Sequence, residues 1–486
     1  MSAPALDPGL ADDLRALRRD LHRHPELGLD NPRTQARILQ ELEGLGFEIT
    51  LGRELSSVVA VLRGRGGGGR AVLLRGDMDA LPVTELLEVD YASQESGLMH
   101  ACGHDLHVAA LVGAARILAA RRQELAGDVV LMFQPGEEGP GGAAVMLKEG
   151  LLEAAGVPVV AAYALHVSSA GERLGVWFGR PGPLMAAADE AVIRVLGEGG
   201  HGSQPHLAKD PVPVACEIVL ALQLMVTRQF NAMEPLVLTV GRIAGGTKDN
   251  IIPDEAVLEL TLRTFDDEQR QRAHAAVRRV AEGIAAAHGL SADVNWLMGY
   301  PVTVNDAGEY AFLRATIEDL FGSQRYVAMP HPEAGAEDFA FVAQRVPSAY
   351  VFLSACPAQD PATAADNHSP RAHFDDSVIP DAAHLLAELA LRRLADPRSG
   401  LPGRAGRPGP PGPRVRWAGC APSHAASWSG EIGRGRDART RLGRGYLGQA
   451  HRGRILAVMG RLATLWRSSR PPRPGTSNSL SSRRWL

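Results

Sequence analysis

Short apolar runs alternate with amphipathic helical patterns through the first 165 residues of the chain. In the first helical pattern, Leu10, Leu14, Leu17 and Leu21 recur at a spacing that places them on one face of a helix. Alternation of this kind is typical of strands that pair in parallel and are covered by helices. The sequence therefore predicts an α/β fold with a mostly parallel central sheet. The predicted strands are 57–62, 71–74, 128–133 and 159–165, and helices are predicted from residue 32 to about residue 44 and over 106–120.

A different pattern occupies the middle of the chain. Two predicted helices and about four predicted strands there form a small α+β layer. After Tyr300 the first pattern returns, and it ends in a predicted helix over 376–394. We therefore expect one domain built from 1–185 and 300–396, with a second domain, 186–299, inserted into it. The predicted strands of the inserted domain are 189–196, 236–243, 256–264 and 292–297, and its predicted helices are 212–228 and 268–288.

Charge divides the chain near residue 397. The whole chain of 486 residues carries a net charge of −4, but residues 397–486 contain 18 arginines, no lysine and two acidic residues. The acidic remainder gives no reason to expect nucleic-acid binding. The basic stretch is rich in Arg, Gly, Pro and Ser, a composition that cannot easily bury a core. We interpret it as a disordered appendage of the kind that a reading-frame shift in a GC-rich gene produces. A basic arm for nucleic acid or an anionic membrane is the alternative.

Cysteine use and the start of the chain favour a cytoplasmic protein. The four cysteines are scattered and form no disulfide pattern. The first 13 residues lack the basic and apolar regions of a signal peptide. Because the chain has no uncharged apolar run of about 18 residues, we expect no membrane-spanning helix.

Residues able to bind metal follow several of the predicted strands. The segment 99–107 holds one thiol and three imidazoles, Glu137 and Glu138 come shortly after a buried strand, and His166 and His368 follow other strand-like runs. Sulfur, imidazole and carboxylate all bind zinc, and sites in open α/β sheets form at the carboxyl ends of strands. Two adjacent glutamates allow one to bind metal while the other transfers protons. The grouping therefore favours metal-assisted hydrolysis over a structural zinc site.

Each of these residue types also has an ordinary structural interpretation. A lone cysteine such as Cys102 is often simply buried, a glutamate pair usually lies on a solvated face, and a histidine after a strand usually has a polar partner. Asp77 and Asp79 follow a predicted strand, where aspartate commonly forms turns. Asp105 is placed to cap the following helix, and His107 to support a metal ligand from behind. The combination of all these residues, rather than any one of them, favours a metal centre.

Seven short motifs occur in order along the first 396 residues. They are GDMDALP (76–82), HACGHD (100–105), QPGEE (134–138), GGHG (199–202), NIIP (250–253), GAEDF (335–339) and NHSP (367–370). With them the chain resembles the amidohydrolase branch of the aminoacylase/carboxypeptidase metallopeptidase family, which includes hippurate hydrolases, N-acyl-amino-acid amidohydrolases and plant auxin-conjugate hydrolases. The resemblance implies a dinuclear-metal catalytic domain and an inserted dimerisation, or lid, domain. One departure is Gly136, where the family more often has alanine.

The resemblance also implies roles for individual residues. Glu137 is then the general base acting on a metal-bridging water, and Asp79 orients a metal ligand from behind. His201 polarises the scissile carbonyl in the partner subunit of a homodimer. The implied ligands of two divalent ions are Cys102, His104, Glu138, His166 and His368. The implied substrate-binding residues are Asn250 and Arg263, whose planar fork suits a carboxylate, with His206 and Glu337 as secondary candidates.

These inferences predict a metal-dependent amidohydrolase that cleaves N-acyl amino acids or related small conjugates. Zinc is the expected metal, and manganese, cobalt or nickel also suit such a mixed ligand set. A dipeptidase or carboxypeptidase with the same centre is one alternative. A non-catalytic metal-dependent binding protein is another, although the presence of Glu137 and of the whole ligand set counts against it.

Overall fold

The computed structural model describes residues 8–66, 69–139 and 141–396. The basic stretch predicted to be an appendage, 397–486, lies outside the described residues. The helices are α1 (Pro8–Arg23), α2 (Pro32–Leu42), α3 (His104–Ala120), α4 (Gly142–Lys148), α5 (Pro211–Gln229), α6 (Asp267–Ala287), α7 (Ala307–Phe321), α8 (Ala340–Ala343) and α9 (Ile379–Ala395). The strands are β1 (Glu48–Leu51), β2 (Val58–Leu62), β3 (Ala71–Asp77), β4 (Asp128–Gln134), β5 (Val159–Ser168), β6 (Trp177–Gly179), β7 (Gly182–Met185), β8 (Ala187–Leu196), β9 (Gly200–His201), β10 (Leu236–Gly245), β11 (Ile251–Ile252), β12 (Glu255–Thr264), β13 (Ser291–Met298), β14 (Thr303–Asn305), β15 (Tyr326–Ala328) and β16 (Ser348–Ser354).

The larger sheet has eight strands in the order β1-β2-β4-β3-β5-β16-β6-β15. Its four central strands, β4, β3, β5 and β16, are parallel. Antiparallel pairs lie toward the edges, between β1 and β2, β2 and β4, and β16 and β6. The predicted α/β fold with a mostly parallel central sheet is therefore confirmed.

Helices cover both faces of this sheet, which is why its strands are continuous apolar runs. α1, α3, α7 and α9 share one apolar core with the first face, and α4 and α8 pack on the second face. Gly113 allows α3 to approach its neighbours closely. A Cβ atom there would lie 2.7 Å from the side chains of both Ala383 on α9 and Leu14 on α1, so any larger residue would force these helices apart.

The middle of the chain forms a separate antiparallel sheet in the order β10-β12-β8-β13. Alternate residues of β12 are buried, and α5 and α6 cover the buried face. We call residues 187–298, which contain all of these elements, the inserted unit, and the remaining described residues the main body. The chain passes between the two parts after β7 and before β14, and these two strands pair with each other.

Helix α5 is the one described helix that is long and apolar enough, by length and composition, to cross a membrane. Core helices of soluble proteins pass the same test, and one side of α5 is buried against the small sheet, with Ile218 and Leu222 fully covered. Its other side carries Leu220 and Leu224, which are 72% and 60% exposed. The helix therefore presents an apolar face that the inserted unit itself does not cover.

The predicted elements were wrong mainly at their ends. The strand predicted over 71–74 continues to Asp77, because Arg75 is buried among acidic partners and not turned to solvent. The closing helix predicted from residue 376 begins at Ile379, after one 3-10 turn. Strand β1 was not predicted, since all four of its residues are exposed and give no apolar run.

We predict that a chain ending at Asp396 unfolds at the same temperature as the full chain. α9 completes the apolar core with the fully buried Leu394, whose carbonyl accepts a hydrogen bond from Arg70 at 2.5 Å. A chain ending at Asp381 is the control and should fail to fold, because it lacks the buried leucines of α9. A lower unfolding midpoint for the Asp396 truncation in calorimetry would show that later residues stabilise the main body.

Candidate metal centre

The parallel strands bring the candidate ligands to one edge of the central sheet. β3 ends at Asp77, β4 at Gln134 and β5 at Ser168, and the carboxyl ends of parallel strands lie side by side. The candidate ligands at this edge are Cys102 and His104 at the start of α3, Glu138 in the loop after β4, His166 near the end of β5, and His368 in the loop before α9.

The five predicted metal ligands form two overlapping groups. Cys102, His104 and His166 make one group, and Cys102, Glu138 and His368 make the other; within each group the ligand atoms lie within 4.8 Å of one another. Cys102 Sγ lies 3.3 Å from His166 Nε2 and 3.2 Å from His368 Nε2. Glu138 Oε1 lies 3.2 Å from His368 Nε2. Because both groups share one sulfur, they define two adjacent positions for ions.

His104 shows that these residues fit a metal ion. Both of its ring nitrogens are buried and have no hydrogen-bond partner among the described residues. The nearest carboxylate oxygens, on Asp77 and Asp79, are 3.6 Å away. A buried polar atom without a partner costs roughly 1–3 kcal/mol, and a bound cation would remove that cost. The combined sulfur, nitrogen and oxygen donors suit a divalent transition metal.

Hydrogen bonds through Val167 fix the rings of His166 and His107. His166 Nδ1 donates to the Val167 carbonyl at 2.7 Å, which leaves its Nε2 lone pair facing Cys102. His107 Nε2 accepts from the Val167 amide at 2.9 Å, and its Nδ1 donates to Asp77 at 2.5 Å. Burial lowers the pKa of both histidines, which favours the neutral ring that a metal ligand needs.

Asp79 holds the glutamate pair by its backbone. Its Oδ1 accepts from the Glu137 amide at 2.9 Å and its Oδ2 from the Glu138 amide at 3.0 Å. The sequence led us to expect that Asp79 orients a metal-binding histidine. In the structure its main partners are these two amides, so its carboxylate sets the direction of both glutamate side chains.

The two glutamates have different electrostatic surroundings. Burial, together with the negative charges of Glu337 and Glu138, raises the pKa of Glu137 well above its usual value. Burial also acts on Glu138, but the hydrogen bond from His368 and the charge of His104 outweigh it and lower the pKa. Glu137 is therefore suited to accept and release a proton, whereas Glu138 stays ionised, as a metal ligand must.

Glu337, predicted as a secondary substrate-binding residue, is engaged by buried partners. It accepts hydrogen bonds from Arg75 Nη2 at 2.8 Å, the Tyr350 hydroxyl at 2.5 Å and the Phe339 amide at 2.9 Å. Sequence reasoning missed Arg75 and Tyr350. The available sequence signal concerned Arg75, which is a charged residue within the otherwise mostly apolar segment that forms β3.

A cavity of about 640 Å³ opens beside the two glutamates. Phe178, Met185, Met329 and Phe352 form an apolar wall on it, and the rings of Phe178 and Phe352 stack with their centroids 5.2 Å apart. Glu137 lines the cavity too, together with four of the five candidate ligands, Cys102, Glu138, His166 and His368. Within the described part of the chain, no lysine or arginine lines the cavity.

The predicted site residues of the inserted unit lie outside this cavity. His201 and Asn250 are neighbours in the ribbon of β9 and β11, where the amide of Gly202 donates to the Asn250 carbonyl at 2.9 Å. His206 is exposed in a 3-10 turn. Arg263 lies on β12 and donates to its neighbour on the same strand, Thr261 Oγ1, at 2.6 Å. A single chain therefore does not bring these four residues to the metal centre.

Comparison with known proteins identifies close relatives. Residues 73–392 match peptidase family M20/M25/M40. Hippurate hydrolase of Campylobacter jejuni is 34% identical over 79% of this chain and 97% of its own length, and thermostable carboxypeptidase 2 of Saccharolobus solfataricus is 36% identical over 79% and 96%. The crystal structure of Bacillus subtilis YXEP, a dinuclear metal-binding peptidase from the M20 family, is 33% identical with a TM-score of 0.68 and covers 80% of this chain and 99% of its own. The resemblance inferred from the motifs is therefore confirmed.

We predict that the two glutamates differ in their effect on metal content. Glu138→Gln should lower the metal bound per chain, because it weakens a ligand that lies against His368 and Cys102. Glu137→Gln, the matched control, should retain the parent's metal content, since the neighbouring group of ligands is intact. Elemental analysis after gel filtration measures both. Equal loss of metal from the two variants would contradict the different roles assigned to the pair.

Proposed function

The chain belongs to peptidase family M20/M25/M40, and from this membership and the geometry of the site we propose that it hydrolyses the amide bond of N-acyl amino acids or related small conjugates. Relatives named as hydrolases of amides and peptides support metal-dependent amide hydrolysis. The observation that carries the proposal is the pairing of a buried proton acceptor, Glu137, with a group of metal-binding side chains at the mouth of a partly apolar cavity.

The ligand set fits two divalent ions, for which zinc is our first choice and manganese, cobalt or nickel are alternatives. When bound, such ions would activate water and polarise the substrate carbonyl. The protein's own contribution is to hold the donor atoms in place. His107 and Asp77 hold the segment that carries His166, and Asp79 holds the segment that carries Glu138.

Glu137 performs the proton transfers in this proposal. Its raised pKa allows it to accept the proton of the attacking water and then release that proton to the leaving amide nitrogen. The hydrogen bond from the Glu137 amide to Asp79 keeps the carboxylate directed at the cavity through both steps. One group can serve as base and then as acid because the attacking oxygen and the leaving nitrogen are bonded to the same carbon after addition, so both lie within reach of one carboxylate.

The cavity supports an apolar acyl group on the substrate. The wall of Phe178, Met185, Met329 and Phe352 offers stacking and apolar contact, whereas an anionic group would find no lysine or arginine among the described residues of the lining. The carboxylate of the amino-acid part then needs a cation from elsewhere. Arg263 is our candidate for that role, and Asn250 and His206, which also belong to the inserted unit, are the further candidates.

We infer a homodimer in which each site uses residues of both subunits. None of the four site candidates of the inserted unit lines the cavity of its own chain, so His201 would polarise the carbonyl in the other subunit. Two features of the inserted unit fit a second copy: the exposed apolar face of α5, with Leu220 and Leu224, and the unpaired edge of β10.

We expect the metal-loaded protein to cleave N-benzoyl amino acids with a kcat/KM at least about ten-fold above that for N-acetyl amino acids, because an aromatic ring buried on the apolar wall contributes roughly 1.5–3 kcal/mol. Glu137→Gln should lower kcat about 10²- to 10⁴-fold, and a chelator should abolish turnover reversibly. Preferential cleavage of dipeptides would favour the dipeptidase or carboxypeptidase alternative. Metal binding without turnover of any of these substrates would favour the binding-protein alternative.

We also expect complementation between inactive subunits. Both His201→Ala and Glu137→Gln homodimers should be nearly inactive, but a mixed dimer contains one site with both residues intact. Subunit exchange should therefore restore up to about half of the parent activity per mixed dimer, a fraction that follows from the closed two-fold symmetry of such a dimer. If differently tagged subunits exchange and no activity returns, the shared-site arrangement is wrong.

A further inference from the structure

Tyr300 lies where the inserted unit joins the main body. The chain crosses between the two parts at 185–188 and again at 298–301. A main-chain hydrogen bond ties the crossings together, from the Ala188 amide to the Tyr300 carbonyl at 3.0 Å. The backbone of Tyr300 therefore moves with the first strand of the inserted unit.

A buried ion pair anchors the crossings to the inserted unit. Asp189, 1% exposed, accepts two hydrogen bonds from Arg270 of α6, at 2.6 and 2.7 Å, and one from the Gly299 amide at 3.1 Å. Arg270 also donates to the Gly299 carbonyl at 3.3 Å. Gly299, the residue preceding Tyr300, is thus fixed through its amide to β8 and through its carbonyl to α6 of the inserted unit.

The side chain of Tyr300 instead belongs to the loop that carries the proton acceptor. Its hydroxyl donates to the Glu137 carbonyl at 2.6 Å and accepts from the Gly139 amide at 3.1 Å. Its ring meets Phe341 of the main body edge-on, with the centroids 6.0 Å apart. The main chain of Tyr300 is therefore hydrogen-bonded to the inserted unit, whereas its side chain contacts the main body.

The loop after β4 is rich in glycine, although main-chain hydrogen bonds from Gly139 to Glu137 and from Gly141 to Gly136 also hold it. Gly136, Gly139 and Gly141 all have positive φ, at 76°, 118° and 76°, and glycine loses more backbone entropy on ordering than any other residue. Asp79 fixes the Glu137 amide, and the Tyr300 hydroxyl fixes the Glu137 carbonyl. The two contacts hold the main chain of Glu137 on both sides of its Cα atom, from which the side chain extends.

We propose that Tyr300 is a positioning residue that links the orientation of the inserted unit to the placement of Glu137. A shift of the inserted unit about its two crossings moves the Tyr300 hydroxyl, and with it the Glu137 carbonyl. The effect on turnover rests on the proposed function of Glu137, whereas the effect on the loop itself does not.

Tyr300→Phe in the full chain tests the link, because it removes only the hydroxyl. Amide exchange in peptides covering 136–142 should speed up about five-fold or more, as expected for one lost hydrogen bond. With an N-acyl amino acid that the parent cleaves, kcat should fall about five- to twenty-fold while KM and metal content stay within about two-fold. Tyr163→Phe is the matched control: it removes the buried hydrogen bond to Glu309, 2.5 Å long, and should leave the exchange of the loop and kcat unchanged.

The outcomes separate the proposal from the proposed function. Unchanged exchange of the loop in Tyr300→Phe overturns the proposal whether or not any substrate is cleaved, and so does an equal increase in Tyr163→Phe. Faster exchange in a protein that cleaves none of the substrates supports the contact and counts against the proposed function alone.

Asp189→Asn, which loosens the anchor of the crossings, should also speed the exchange of the loop. If combining it with Tyr300→Phe multiplies the two separate effects in full, Tyr300 acts on the loop independently of the inserted unit and the link is wrong.

Discussion

A fully buried arginine, Arg75, joins the segments that build the metal centre. Its guanidinium donates to Asp77 at the end of β3, to Gln134 at the end of β4 and to Glu337 beyond the inserted unit. A buried carboxylate without a countercharge costs several kcal/mol; the charge of Arg75, together with the neighbouring histidines, outweighs the effect of burial on Asp77 and keeps the pKa of that carboxyl well below its usual value. Asp77 in turn holds His107, which is why the arginine supports the metal ligands without touching them.

One guanidinium does not balance the acidic groups around it. Glu137 and Asp338 are also buried nearby, and burial with the charge of Glu337 raises the pKa of both. Protonation is one way to relieve such an excess of negative charge, and bound cations are the other. The same arrangement of acids therefore increases the affinity of Glu137 for a proton and makes the adjacent group of Cys102, His104, Glu138, His166 and His368 attractive to divalent ions.

Much of the candidate metal centre could be predicted from the sequence, for a physical reason. Residues after parallel strands converge at one edge of the sheet, so motifs such as QPGEE and NHSP could be assigned to one site from their order alone. The pairing of Arg75 with Glu337 could not, because the partners are 262 positions apart in the sequence and no local pattern relates one to the other. The backbone conformation of His368 could not be predicted from the sequence either. It has a φ of 68°, and it is the one non-glycine residue with positive φ in the described part of the chain, a strain that only tertiary contacts can maintain.

The division of the site between the two parts of the chain follows from the path of the backbone. The main body supplies the ligand group, the proton acceptor and the apolar wall, but no lysine or arginine among the described residues lines its cavity. The basic candidate Arg263 belongs to the inserted unit, which is joined to the main body through the paired strands β7 and β14. In the proposed shared site, a substrate with an apolar end and an anionic end would contact the main body of one subunit and the inserted unit of the other. The proposed link through Tyr300 would then connect the position of the inserted unit, which meets the other subunit, with the placement of Glu137 in its own chain.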